Sequence, residues 1–272
     1  MVVARSHSLR LHVLASGSKG NAVVVEGPEG AILVDCGVSC RSLTQRADAL
    51  GLDMERVRAL VLTHEHSDHV AGVTVFRNRF DVPVYATEGT MSARSYLERL
   101  DYEAVGRLDE WRVAGIRVRS FPTSHDVADP IGLRFDCDGD SVGLCTDTGL
   151  LGDAAREALR DARVLALESN HDERMLANGP YPAFLKRRVG GPGGHLSNAQ
   201  AADALADLVG GRTEEVVAMH VSQKNNRPST AVRTLAEALG AEAANATFTE
   251  AATPDGRVTI RVAGQDRPMT VG

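Results

Sequence analysis

Short apolar runs recur through the first third of the chain. "LRLHVL" (9–14), "NAVVV" (21–25) and "AILVD" (31–35) predict strands, and "GPEG" between the second and third predicts a hairpin turn. Ser39 stands where a helix cap belongs and Gly51 where that helix would end, which predicts a helix to about residue 50. "RALVLT" (58–63) is the kind of run that is buried on both faces of a sheet. "DHVAGVTVFRNRF" (68–80) predicts a helix with Asp68 in its first turn, followed by a strand "VPVYA" and a helix over 88–100.

A strand-rich stretch follows at 112–122, 131–136 and 141–146. From there the pattern alternates: helix 153–161, strand 163–168, helix 198–209, strand 215–219, helix 229–239, then strands over 246–250 and 257–262. Each half therefore runs strands first and helix–strand alternation second, with no linker or low-complexity break. The expectation is one α/β (α+β) domain over residues 1–272, with two sheets sandwiched between helices.

Hydrophobic residues make up 43% of 272, enough for a sizeable core. A net charge of −6 argues against a broadly basic nucleic-acid coat, though not against a local basic surface. The four cysteines, Cys36, Cys40, Cys137 and Cys145, form no C-x-x-C pair, so free thiols in a reducing compartment are expected. The amino terminus "MVVARSHSLRLHVLAS" has no apolar run of signal-peptide length, and no stretch approaches a membrane span. A cytoplasmic protein without a membrane partner is expected. The oligomeric state stays open, a homodimer among the candidates.

One stretch changes the picture. "VLTHEHSDHVAG" (61–72) packs His64, Glu65, His66, Asp68 and His69 into six positions after a strand. In an extended segment His64 and His66 point the same way. Asp68 and His69 follow beyond the turn, so two ions can share the run. Imidazole with carboxylate suits two divalent ions, Zn²⁺ or Mn²⁺, with Fe as a third candidate.

"THEHSDH" resembles the signature of metallo-β-lactamase-fold hydrolases. "LASGSKGNAVVVE" (14–26), "ILVDCG" (32–37), "SHD" (124–126), "TDTG" (146–149), "LESNHDERML" (167–176), "GGHLSN" (193–198) and "HVSQKNN" (220–226) extend the resemblance to the YycJ/WalJ-type branch. That branch is related to ribonuclease Z and to PhnP-type phosphodiesterases. The resemblance implies a four-layer αββα metallo-β-lactamase sandwich. It implies that His125 completes one ligand set with His64 and His66, that His220 joins Asp68 and His69, and that Asp147 bridges both ions. It further implies catalytic roles for His195, as general acid, and for Asp68.

Two ions roughly 3.5–4 Å apart can clamp the attacking and departing oxygens of a phosphodiester and supply hydroxide near neutral pH. The expected function is a metal-dependent phosphodiester hydrolase, a DNA exonuclease running 5′ to 3′ by family resemblance. A small cyclic or linear phosphodiesterase is the alternative, and a metal-binding scaffold in cell-wall signalling or DNA repair the non-enzyme one. A flavodiiron-type redox site would want an acid at the position of His66, and a thioesterase or lactamase fits His195 less well. Lys186, Arg187 and Arg188 form the densest basic cluster and, with Asn225 and Asn226, are candidate substrate contacts. "SGSKGN" (16–21) lacks the helix that must follow a phosphate-cradling P-loop and is expected as a tight turn under the site, with Asn21 behind it.

Overall fold

The computed structural model describes residues 7–272; the first six residues of the amino-terminal stretch discussed above lie outside the described residues. The first sheet is built from β1 (Arg10–Ala15), β2 (Ala22–Gly27), β3 (Gly30–Val34), β4 (Val57–Val61), β5 (Val84–Ala86) and β6 (Glu103–Ala104) in that spatial order. Antiparallel pairing gives way to parallel pairing between β3 and β4. A helix, α1 (Cys40–Ala49), makes that crossover; Ser39 caps it, its side chain accepting from the Ser42 amide. The "GPEG" turn is a two-residue hairpin closing on the Gly27–Gly30 pair.

The second sheet holds β7 (Glu110–Val113), β8 (Ile116–Pro122), β9 (Ile131–Cys137), β10 (Asp140–Cys145), β11 (Val164–Glu168), β12 (Glu215–Met219), β13 (Glu242–Ala243), β14 (Glu250–Ala252) and β15 (Thr259–Val262). Strands β10, β11, β12 and β15 run parallel. The last strand, β16 (Met269–Val271), leaves this sheet and pairs antiparallel with β1 of the first.

The two sheets face each other across a core that mixes Leu11, Val13 and Ile32 from one with Val118, Phe135 and Val217 from the other. The outer face of the first sheet is covered by α1 and α3 (Val73–Phe80), and that of the second by α5 (Asp153–Leu159), α8 (Asn198–Leu208) and α9 (Pro228–Leu239). The molecule is therefore a helix–sheet–sheet–helix sandwich, a four-layer α/β arrangement. No helix among the described residues is long and apolar enough to cross a membrane.

Several elements differ from the sequence expectations. The helix over 68–80 is split into α2 (Ser67–Val70) and α3 around Gly72, where an added Cβ would meet the Val38 carbonyl at 2.2 Å. That close contact with the loop after β3 fixes where α2 lies. The helix over 88–100 stops after one turn, as α4 (Glu88–Ser92); the chain continues in turns that bury Leu97 and aim Arg94 at the Glu65 carbonyl, 3.2 Å away. The strand over 112–122 is a hairpin, because Ala114 and Gly115 both adopt positive φ and reverse the chain. The strand expected over 246–250 begins only at Glu250. Two helices, α6 (Glu173–Asn178) and α7 (Ala183–Val189), and the strands β6, β13 and β16 were not legible.

Candidate metal centre

The strands that carry the site all end at one edge of the sandwich. His64 to His69 follow β4, His125 follows β8, Asp147 follows β10, Glu168 ends β11 and His220 follows β12. Parallel neighbours place their carboxyl ends side by side, which is where open α/β sheets gather functional groups. Asp35, Asp147 and His220 turn into the left-handed region, with φ of 58°, 56° and 52°. Each such non-glycine residue costs on the order of 1–3 kcal/mol and breaks the in–out alternation of its strand, turning its side chain onto the edge. Gly37 closes the floor: a Cβ there would lie 1.6 Å from the Asp68 carbonyl oxygen, so the loop after β3 can press directly on α2.

His64, His66 and His125 bring one ring nitrogen each within 4.8 Å of one another, and so do the ligand atoms of Asp68, His69 and His220. Asp147 stands between the two groups, its carboxylate 3.3 Å from His69, 3.7 Å from His220 and 3.9 Å from His125. All seven residues expected as ligands are thus in one cluster.

The hydrogen bonds around them fix which nitrogen faces inward. Thr63 Oγ1 donates to Asp35 at 2.8 Å, so it accepts from His64 Nδ1 at 3.0 Å and leaves His64 Nε2 as a bare acceptor. His69 Nδ1 donates to Asp35 at 2.7 Å and His125 Nδ1 to the Gly194 carbonyl at 3.0 Å. Such outer partners orient imidazoles in metal sites. His64 Nε2, Asp147 Oδ2 and His220 Nε2 are buried with no hydrogen-bond partner; Asp147 Oδ2 lies near His69 Nε2 without an aligned bond. Three unpartnered ligand atoms within this cluster, with histidine and carboxylate chemistry, fit a pair of divalent cations.

The charges agree. Burial, followed by the neighbouring His69, holds His64 well below the ordinary histidine value, so its ring is neutral as a ligand must be. Burial works against the charge on Asp147, but His220 and His69 outweigh it and hold the carboxyl well below its usual range.

Glu168 went unnoticed in the sequence. It is fully buried. Its Oε1 accepts from His195 Nδ1 at 2.8 Å and from His220 Nδ1 at 3.1 Å, while Oε2 accepts the Thr148 and Leu196 amides at 2.8 and 3.3 Å. Four partners saturate the carboxylate, so it braces histidines instead of offering a further ligand. Burial opposes its charge, yet His195 and His220 lower its pKa to about 2. In return Glu168 raises the pKa of His195 against the opposing effect of burial. With Nδ1 occupied, His195 presents Nε2 to a cavity of about 220 Å³ that it lines together with Ser18, His66, Asp68, Asp147 and Arg188.

The expected substrate contacts fare less evenly. Arg188 lines the cavity and pairs with Asp126. Lys186 instead donates to the Ala177 carbonyl at 2.6 Å, and Arg187 is exposed without an ion pair among the described residues. Asn225 and Asn226 are buried away from the cavity; Asn226 Nδ2 donates to the Ser169 and Asn170 carbonyls, both at 3.0 Å, so it ties loops together. Asn21 packs on the cluster's inner side, its Nδ2 3.0 Å from His69 Nε2, within the expected "SGSKGN" turn.

This fold and this ligand edge define a class, and the comparisons name it: the chain belongs to the Metallo-beta-lactamase superfamily, whose model matches residues 15–220. Within it, the chain is 35% identical over 235 residues to "Exodeoxyribonuclease YycJ" of Bacillus anthracis, covering 85% of this chain and 89% of that one. It is 34% identical over 233 residues to "Exodeoxyribonuclease WalJ" of Streptococcus pneumoniae D39, covering 84% and 87%. Among solved structures, the metallo-beta-lactamase fold protein YhfI from Bacillus subtilis superposes with a TM-score of 0.71 at 13% identity, over 98% of this chain and 100% of that one, which shows the fold alone. The chain is a hydrolase of this superfamily, of its YycJ/WalJ-type branch.

Proposed function

We propose that the protein is a metal-dependent DNA exonuclease that removes nucleotides in the 5′-to-3′ direction, with His195 as the general acid. The observation that carries this reading is the Glu168–His195 pair at 2.8 Å, set on the wall of the cavity that the ligand cluster floors. Two divalent ions, held by His64, His66 and His125 on one side, by Asp68, His69 and His220 on the other and by Asp147 between them, would supply an activated water and charge neutralisation for the phosphate. The protein does the rest. Glu168 holds the His195 ring by Nδ1 and favours its protonated form. His195 Nε2 hands its proton to the departing alkoxide, which leaves poorly without one.

Asp68 reaches the cavity and its carboxyl is held below its usual range; burial opposes this, and His220 and His69 overcome it. It therefore stays anionic and can orient the attacking water. Arg188 on the rim meets the phosphate next along the strand. The YycJ and WalJ relatives, named for exodeoxyribonuclease activity, support DNA as the polymer. The four cysteines are free thiols in the structure, which suits a cytoplasmic enzyme.

The test is direct. Protein loaded with Mn²⁺ or Zn²⁺ is given DNA labelled at one end or the other, beside bis-p-nitrophenyl phosphate. Stepwise release from the 5′ end is expected. Hydrolysis of the aryl ester alone would move the reading to a small-molecule phosphodiesterase.

A further inference from the structure

The cavity over the cluster, about 220 Å³, is smaller than the roughly 300–1,000 Å³ of sites that enclose a whole small-molecule ligand. A phosphodiester group enters it, while the nucleosides on either side must lie along its rim. One wall of the rim is α7. Leu185, Arg188 and Val189, at i, i+3 and i+4, form the face that α7 turns to the cavity. Phe184 stands one turn before Arg188 on the same side, at the edge of that face. Its side chain is 66% exposed, more than that of any other Phe, Tyr or Trp among the described residues. It contributes nothing to the core, since α7 buries none of its residues.

Resting on the exonuclease reading, we infer that Phe184 is a stacking platform for the nucleobase beside the scissile phosphate, and that Arg188, one turn on, holds the adjoining phosphate. An aromatic face next to a cationic group is how proteins hold single-stranded nucleic acid without reading its sequence. Stacking on a side chain requires a base whose own face is uncovered. The site therefore takes a single-stranded end, and α7 accepts any base there. Arg188 is held ready by Asp126, with just over half of its side chain in solvent.

The experiment uses the full chain loaded with Mn²⁺ and single-stranded oligonucleotides of mixed sequence. Phe184→Ala should lower kcat/KM by about 5- to 150-fold, chiefly through KM, while Phe184→Trp retains most of it. A series of oligonucleotides carrying one abasic residue, moved through the first few positions from the cleaved end, adds the decisive readout. At one position the abasic substrate should cost the wild type as much as Phe184→Ala costs on normal DNA, and the two losses should not add. Additive losses at every position, or no change in KM for Phe184→Ala, would overturn the platform while leaving the exonuclease reading intact. Failure of the metal-loaded wild type to cut any oligonucleotide would overturn both.

Discussion

His195 Nδ1 and Glu168 Oε1 are 2.8 Å apart, with the carboxylate fully buried and already saturated by three other donors. A carboxylate so placed cannot swing away, so the imidazole is held in one tautomer and one orientation. Its charge makes His195 a stronger base than free histidine, so the ring keeps its proton to higher pH than a free histidine does.

Removing the acid should be felt according to the leaving group. His195→Ala should lose on the order of 10²–10⁴-fold on DNA, where an alkoxide departs, and far less on bis-p-nitrophenyl phosphate, where a stable phenolate does. Steady-state rates on the two substrates, with metal content measured on the same sample, check this. Equal losses would point to a collapsed loop or a lost ion.

Glu168→Gln keeps the shape and removes the charge. The raised pKa of His195 then falls, so the alkaline limb of the kcat profile, where the protonated acid is lost, should move to lower pH. Activity at neutral pH should drop about 10–100-fold, as for other outer partners of metal-site histidines. A rate–pH profile with an unmoved alkaline limb would assign the proton transfer elsewhere.

Asp147→Ala should abolish turnover without unfolding the protein, because both ligand groups lose the carboxylate between them. Circular dichroism should be unchanged and elemental analysis should fall below two ions per chain. Near-normal turnover with two ions bound would refute the bridging role.

Metal loading should expel protons. In the metal-free protein burial acts against the charge on His220, but Asp147, Asp68 and Glu168 raise its pKa to about 10; His69 is likewise raised well above its ordinary value by Asp147 and Asp35. Ligation needs the neutral rings, so apparent affinity should climb with pH up to about 10 and not level off near the usual histidine value. Calorimetric titrations in buffers of different ionisation enthalpy, at about pH 7 and about pH 9, measure the released protons. Affinity independent of pH across that range would contradict the charge distribution.

The sandwich and four of the seven clustered residues, His64, His66, Asp68 and His69, were legible because strands with continuous apolar runs and a dense histidine motif leave strong local marks, whereas His125, Asp147 and His220 were expected only from the family resemblance. What escaped was set by contacts distant in sequence. Helix α7 buries none of its residues, so it carries no apolar stripe to read. The short strand β16 exists only because β1 offers it a partner from the other end of the chain. Glu168 was in plain view, an acid closing the apolar run of β11, yet its importance depends on His195 and His220 arriving from two other loops. The burial of Asn225 and Asn226 escaped for the same reason, since nothing local to "QKNN" says which loops fold over it.

The centre draws on β4 near the start of the chain and β12 far along it, and this sets a timetable for the protein's birth. A ribosome delivers His64, His66, Asp68 and His69 on the order of ten seconds before His220 emerges. During that interval the nascent chain displays half a centre, with histidines and an acid facing water instead of His220 and Asp147. A newborn chain that captured an ion there would hold it with too few ligands and could yield it to any stronger chelator. With these residues as the ligands, secure metal acquisition would wait for β12 and His220 to join the strands made before them.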